Sequence, residues 1–294
     1  MNKFLFFLLA VILTSIACKK NESNRPTSTD KTYTVTFNTT QNSDGNQKLM
    51  GKALRKNSTA SAAASTLYYI VTDTASLNPT VLRTISQDSA SNNFGMIVDH
   101  LPAGHYMVYI VAGQQGLSLY STAVQYATNS ANIAWSDTFA ARVPLTITNA
   151  DVNQSVSLER IVAQLQVNIN DALPSNAHSF AITVTNEYRY YDCHTQKPSG
   201  PAAQRFNNII PVDRLGQANY NFGYIILNTY APIKIRLICL SASGDTLADK
   251  TINNIKLVKN KRTVLSGSMF SNNNDVNVNF VKDWDDEIFK VINY

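Results

Sequence analysis

The sequence predicts an all-β protein made of two successive antiparallel β-sandwich domains. Apolar and polar residues alternate with period two through most of the chain, in segments rich in Thr, Val, Ile and Tyr, which is the pattern of strands with one buried face. Helical periodicity is hard to find. At 294 residues the chain is long for one sandwich and comfortable for two. A sheet with one apolar face must bury it, and antiparallel strands joined by short turns do so against a second sheet. The expected boundaries are 1–17 for an export signal, 18–31 for a flexible tether, 32–150 for the N-terminal sandwich and 151–294 for the C-terminal one, the two sandwiches meeting near Ala150.

The N-terminus is an address. Lys3, an apolar run from Phe4 to Leu13 and then Thr14-Ser15-Ile16-Ala17 lead into Cys18, the order of a bacterial lipoprotein signal ending at its lipidation cysteine. The run is too short for a spanning helix. An ordinary secretory signal and an uncleaved membrane anchor are the alternatives. Ser15 takes the third position before the cysteine, where leucine is usual. More than one acyl chain on Cys18 would make the attachment permanent, where a single chain binds only marginally. Lys19 to Lys31 is polar, contains Pro26 and lacks apolar periodicity, so it reads as the tether.

The first group of expected strands is Tyr33 to Phe37, Thr66 to Val71, Thr80 to Ile85, Phe94 to Leu101 and the stretch ending at Gly113. Pro102 and Gly104 punctuate a turn, which predicts a hairpin between the last two. In its second strand Tyr106, Val108 and Ile110 share one face and Met107, Tyr109 and Val111 the other, so a central position is expected. The second group opens with the clearest alternation in the chain, Val156 to Asp171, expected as one long half-buried strand. Phe180 to Val184, Ile233 to Leu240, Ile252 to Val258, Arg262 to Phe270 and Val276 to Val281 follow. Asp192 to Tyr224, with Pro198, Gly200, Pro201, Pro211, Gly216 and Gly223, is expected to be mostly loop or short edge strand.

Composition excludes several functions. The net charge of +5 is too mild to suggest a nucleic-acid partner. The cluster Lys48, Lys52, Arg55 and Lys56 reads as a solvated loop. No Gly-x-Ser-x-Gly elbow, phosphate loop or dinucleotide fingerprint occurs, so neither an enzyme nor a cofactor is expected. His100 and His105 flank the expected turn, where they could face each other, but only Asp99 stands near them to complete a metal site. Asp283, Asp285, Asp286 and Glu287 lack the glycine and spacing of a calcium loop. Cys193 and His194 are adjacent, and adjacent residues on an extended chain point apart. Whether Cys193 and Cys239 are bridged is left open.

Leu158-Glu159-Arg160-Ile161-Val162-Ala163 resembles the Leu-x-Arg-x-Val-Ala strand of the FimB-like fimbrial anchor and accessory subunits of Bacteroidota. Leu101 to Gly113 is similar to that family's Leu-Pro-x-Gly-x-Tyr strand with its terminal Ala-Gly. Leu257 to Gly267 is similar to its closing Arg-Asn-x-x-Thr-x-Leu-x-Gly segment, with Lys259 in place of arginine, and the tail Asp283-Trp284-Asp285-Asp286 fits its ending. The resemblance implies transthyretin-like sandwiches on a lipid anchor in the outer membrane, facing outward. It further implies a fimbrial subunit as partner, bound by strand addition, in which backbone hydrogen bonds give affinity and alternate side chains give register.

Asp73-Thr74-Ala75, Asp88-Ser89-Ala90 and Asp245-Thr246-Leu247 look like the short O-glycosylation motif of exported Bacteroidota proteins, which marks Thr74, Ser89 and Thr246 as candidate acceptors. The alternative function is a glycan-binding surface lipoprotein. Its contacts would be Tyr188, Tyr190, Tyr191, Tyr220, Phe222 and Tyr224, whose rings can stack on sugars. Tyrosines at alternating positions more often pack within a sheet.

Overall fold

Eighteen strands and one 3₁₀ turn, Val212–Arg214, are built from the described residues of the computed structural model. These residues are 31–43, 46–49, 64–74, 79–126, 134–271 and 277–283. The signal, Cys18, the tether up to Asp30, Lys52 to Lys56 and Trp284 to Glu287 lie outside them. The chain forms two tandem transthyretin-like β-sandwiches.

The first sandwich is a single folded sheet. Its strands are β1 (Thr32–Ser43), β2 (Asn46–Leu49), β3 (Thr66–Asp73), β4 (Val81–Asp88), β5 (Met96–Pro102), β6 (Gly104–Gly113), β9 (Thr138–Ile147) and β10 (Val152–Arg160), in the order β2-β1-β10-β9-β6-β3-β4 with β5 on β1. β9 and β10 pair only where Phe139 and Ala140 meet Arg160 and Glu159. Past that seam they diverge, and the two halves enclose one core that includes Val35, Phe37, Leu67, Tyr69, Ile110, Leu145 and Leu158. β6 is central, between β3 and β9, as its two apolar faces predict.

The expected hairpin at Pro102 does not form. β5 pairs with β1, and β6 with β3 and β9, so the turn carries the chain between the two halves. His100 sits opposite Thr34 and His105 opposite Thr146, and the two histidines do not face each other. The motif around the turn has a steric basis. The Tyr106 ring packs over Gly104 and its hydroxyl donates to the Pro102 carbonyl at 3.0 Å. Gly113 leaves room for the Tyr126 hydroxyl, which a Cβ at that position would overlap.

The second sandwich faces a sheet in the order β14-β11-β17-β18 against one in the order β16-β15-β12-β8-β7, with β13 on the other side of β12. These strands are β7 (Leu117–Tyr120), β8 (Ala123–Tyr126), β11 (Ala163–Ile169), β12 (Ala177–Asp192), β13 (Lys197–Ile209), β14 (Tyr220–Ile226), β15 (Ile233–Ser241), β16 (Thr246–Ile255), β17 (Lys261–Gly267) and β18 (Asn277–Asp283). The core between them includes Leu165, Val167, Phe180, Ile182, Phe222, Ile235 and Leu265. Cys239 is buried in this core and Cys193 in another cluster, and both thiols are free.

Three expectations need correction. Val156 to Asp171 is two strands in two sheets, because the chain crosses between the sandwiches at Ile161 and Val162. β10 thus belongs to the first sheet, and that sheet extends past Ala150. Asp192 to Tyr224 is largely strand: β13, which carries Pro198 and Pro201, is an edge strand, and edges are where proline is tolerated. Finally, the pairing is not wholly antiparallel, since β1 runs parallel to β10 and β11 parallel to β17.

A third cluster joins the sandwiches. The β7–β8 hairpin extends the second sandwich by pairing with Tyr191 and Asp192. Its Leu117, Val124 and Tyr126 pack with Ile70, Tyr109 and Val111 of β3 and β6, and with Trp135 and Ile161. At the crossing, the fully buried Arg160 guanidinium makes a bidentate pair with Asp137, 2.7 Å at Nε and 3.0 Å at Nη2. It also donates to Asn260 Oδ1 at 2.6 Å and lies 4.8 Å above the Phe139 ring. Asn260 adopts φ +59° in the turn before β17, and its N–H reaches the Val162 carbonyl at 2.9 Å.

Removing one member of a buried pair leaves an uncompensated charge, so Asp137→Ala is expected to destabilise the protein by about 3–5 kcal/mol in denaturant titration. Arg160→Lys should also destabilise, because an ammonium cannot replace the planar fork. Lys259→Ala, which cuts the exposed 2.9 Å pair with Glu159, should cost less than about 1 kcal/mol. Equal losses at Asp137 and Lys259 would contradict this ranking.

Candidate functional site

A sandwich leaves strand edges unpaired, and each edge is a template for another chain unless it is blocked. β4, at one end of the first sheet, is interrupted by a bulge that leaves Leu82 without a partner opposite Val71 and Thr72. β16 carries register shifts at both ends, and its Asp249 pairs with Arg236 at 2.6 Å. β13 differs. It is bonded to β12 alone and unpaired on its other side among the described residues. Its first half is guarded by Pro198, Gly200 and Pro201, but Ala202 to Ile209 is free of proline, in unbroken register from Gln204 onward, with Arg205 as its sole charge.

Alternation along this half is strict. Gln204, Phe206 and Asn208 point inward and are buried, while Arg205, Asn207 and Ile209 are exposed. β13 faces β14 across the core, where Phe206 stacks on Tyr224 with centroids 3.8 Å apart and Asn208 donates to the Tyr220 hydroxyl at 3.1 Å. These contacts hold the open side of the second sandwich in shape. Ile209 is 63% exposed and Val212, just beyond, 83%, so the edge ends in an apolar step.

The tyrosines proposed for sugar contact are mostly used in packing. Tyr220 and Tyr224 belong to the core with Phe180, Phe206 and Phe222, so their faces, like that of Phe222, are closed to a sugar ring. Tyr191 is buried in the joining cluster, Tyr188 packs against that cluster, and Tyr190 lies beside Gly200. Of the expected acceptors, Thr74 and Thr246 are exposed at strand ends and Ser89 is half-buried in a turn. His194 meets the Tyr109 hydroxyl at 2.8 Å rather than Cys193, whose thiol burial pushes far above its ordinary range.

Sequence reasoning missed a polar cleft of about 460 Å³ where the sandwiches meet, lined by Arg142, Ser157, Glu159, Tyr191, Tyr230 and Lys259 among others. Its rim is set by a buried carboxylate. Glu187 sits at a bulge in β12, fully buried, and accepts from the backbone N–H groups of Tyr188, Leu227 and Asn228 at 3.0–3.3 Å. Asn228 bonds the Asn186 carbonyl through Nδ2, and its Oδ1 accepts from the N–H groups of Tyr230 and Ala231 at 3.0 Å. Tyr230 is thereby presented at the rim, its hydroxyl donating to the Gln196 carbonyl at 2.7 Å. The sequence signal was faint: a glutamate amid apolar alternation, and an Asn two residues before Tyr.

The family of unknown function DUF6562 matches residues 115–293, from the β7–β8 hairpin through the last strand. The chain belongs to that family. No curated protein matches the sequence. Several solved structures share the fold of this DUF6562 member. A candidate polysaccharide-binding protein of Bacteroides thetaiotaomicron superposes with TM-score 0.56 at 11% identity, covering 87% of this chain and 99% of its own. A candidate adhesin of Bacteroides ovatus gives TM-score 0.51 at 11% identity, over 84% and 91% of the two chains. The fimbrial anchor protein Mfa2 of Porphyromonas gingivalis gives TM-score 0.51 at 10% identity, over 80% and 90%. At these identities the likeness is one of fold.

Burial pushes the Glu187 carboxyl up from 4.5 to about 7, against the opposing effect of its backbone donors. The folded state therefore binds a proton that the unfolded state has released between these values. Stability is expected to fall as pH rises from about 4.5 to 7, by on the order of 3 kcal/mol, and to level off above. Urea titrations across that range check this, and Glu187→Gln should flatten the slope.

Proposed function

We propose that this protein is an outer-membrane surface lipoprotein, held by acyl chains on Cys18, that acts as a fimbrial anchor or accessory subunit. Its partner is a fimbrial subunit protein, which adds an extended segment to the free edge of β13. The observation that carries this reading is the proline-free, singly paired half-strand Ala202 to Ile209. There an incoming strand gains a ladder of backbone bonds and a fixed inward–outward alternation. The fold shared with the Porphyromonas gingivalis anchor protein supports the reading, as does the lipoprotein pattern at Cys18. Exposed Thr74 and Thr246 suit modification by glycan at the cell surface.

Two adjacent proline substitutions test the edge. Ala202→Pro and Ala203→Pro remove N–H groups that point to opposite sides of β13. The variant that keeps its melting temperature has lost the outward donor, and it should lose co-purification of the fimbrial subunit. Undiminished co-purification with both variants would count against β13. Cys18→Ser is expected to abolish incorporation of labelled palmitate and to release the folded protein from the membrane fraction. Membrane retention without label would instead indicate an uncleaved anchor.

A further inference from the structure

The cleft between the sandwiches has a composition that neither packing nor strand addition uses. Tyr191 is 5% exposed and its side chain lines the cleft. Ser157, also on the wall, has an Oγ that is covered and unpartnered. A buried hydroxyl left unmet costs roughly 1–3 kcal/mol, so Ser157 Oγ in the cleft wall marks a place for a polar occupant. Arg142 makes no ion pair or hydrogen bond among the described residues, whereas Lys259 is neutralised by Glu159. Tyr230, at the rim, is 57% exposed and is held by the network from Glu187.

We propose that this cleft binds an acidic saccharide. The exposed Tyr230 ring stacks on the apolar face of a sugar, the Tyr191 and Ser157 hydroxyls bond to its hydroxyl groups, and Arg142 takes a carboxylate. A sugar combines dense hydroxyls with an apolar face, and a guanidinium meets a carboxylate in two parallel bonds. About 460 Å³ lies within the usual range of ligand pockets, roughly 300–1,000 Å³. Burying a carboxylate without a cation is costly, and Glu187 tolerates that cost where it fixes the loop bearing Tyr230. The site goes beyond the anchoring role, since none of its residues lies on β13.

Calorimetric titration of the full-length protein with trigalacturonate and with neutral galactotriose tests the proposal. Trigalacturonate is expected to bind at least about tenfold more tightly than galactotriose, a preference supplied by the charge-assisted bonds of Arg142. Tyr230→Ala should weaken binding about tenfold or more, and Arg142→Gln should erase the preference for the acid. Both residues are exposed, so melting temperatures should be unchanged. Binding of neither sugar, equal binding of both, or binding indifferent to both substitutions would overturn the proposal. Co-purification of a fimbrial subunit should be unaffected by Tyr230→Ala, which separates failure of this site from failure of strand addition.

Discussion

The Arg160 guanidinium is where the two sandwiches become one structure. A fully buried cation must have every donor met, and the groups that meet it come from different parts of the chain: Asp137 before β9, Phe139 within it, and Asn260 in the turn before β17. Satisfying one side chain therefore fixes the crossing point at Ile161–Val162, the seam between β9 and β10, and the entry of β17 beside β11. Buried ion pairs add little net stability against an apolar replacement, but they penalise every arrangement that separates the partners. That is the service a junction needs. The apolar cluster around Trp135, Tyr109 and Tyr191 supplies the area, and the Arg160 contacts select the geometry.

This junction links the two surfaces of interest. The β13 edge belongs to the sandwich beyond the crossing and is connected through β12 and the joining cluster to the sandwich before it. The cleft opens beside the same crossing, where β9 and β10 diverge from their short seam. One connection thus joins an unpaired strand edge and a polar cavity that share no residue.

The sequence was most legible where one physical demand acted alone. β6 declared itself central because both of its faces are apolar, and β15 declared itself a strand because Ile233, Ile235 and Leu237 alternate with exposed Lys234 and Arg236. The crossing was not legible as alternation, which runs on through it. Its trace is the run Ile161, Val162, Ala163, all buried, where a half-buried strand would show a polar residue. β13 was hidden by its prolines and glycine, which break a central strand but are tolerated at an edge. The motifs Leu-x-Arg-x-Val-Ala and Asn-x-x-Thr carried more than strand propensity, for Arg160 and Asn260 meet across the junction. The cleft was illegible because it gathers residues from β9, β10, β12 and the segments between strands, which no local pattern connects.

Differential scanning calorimetry of the protein lacking residues 1–31 tests the joined architecture most directly. If the junction makes the sandwiches one cooperative body, a single transition is expected, with calorimetric and van't Hoff enthalpies in agreement. Two resolved transitions, each with the enthalpy of one sandwich, would contradict it.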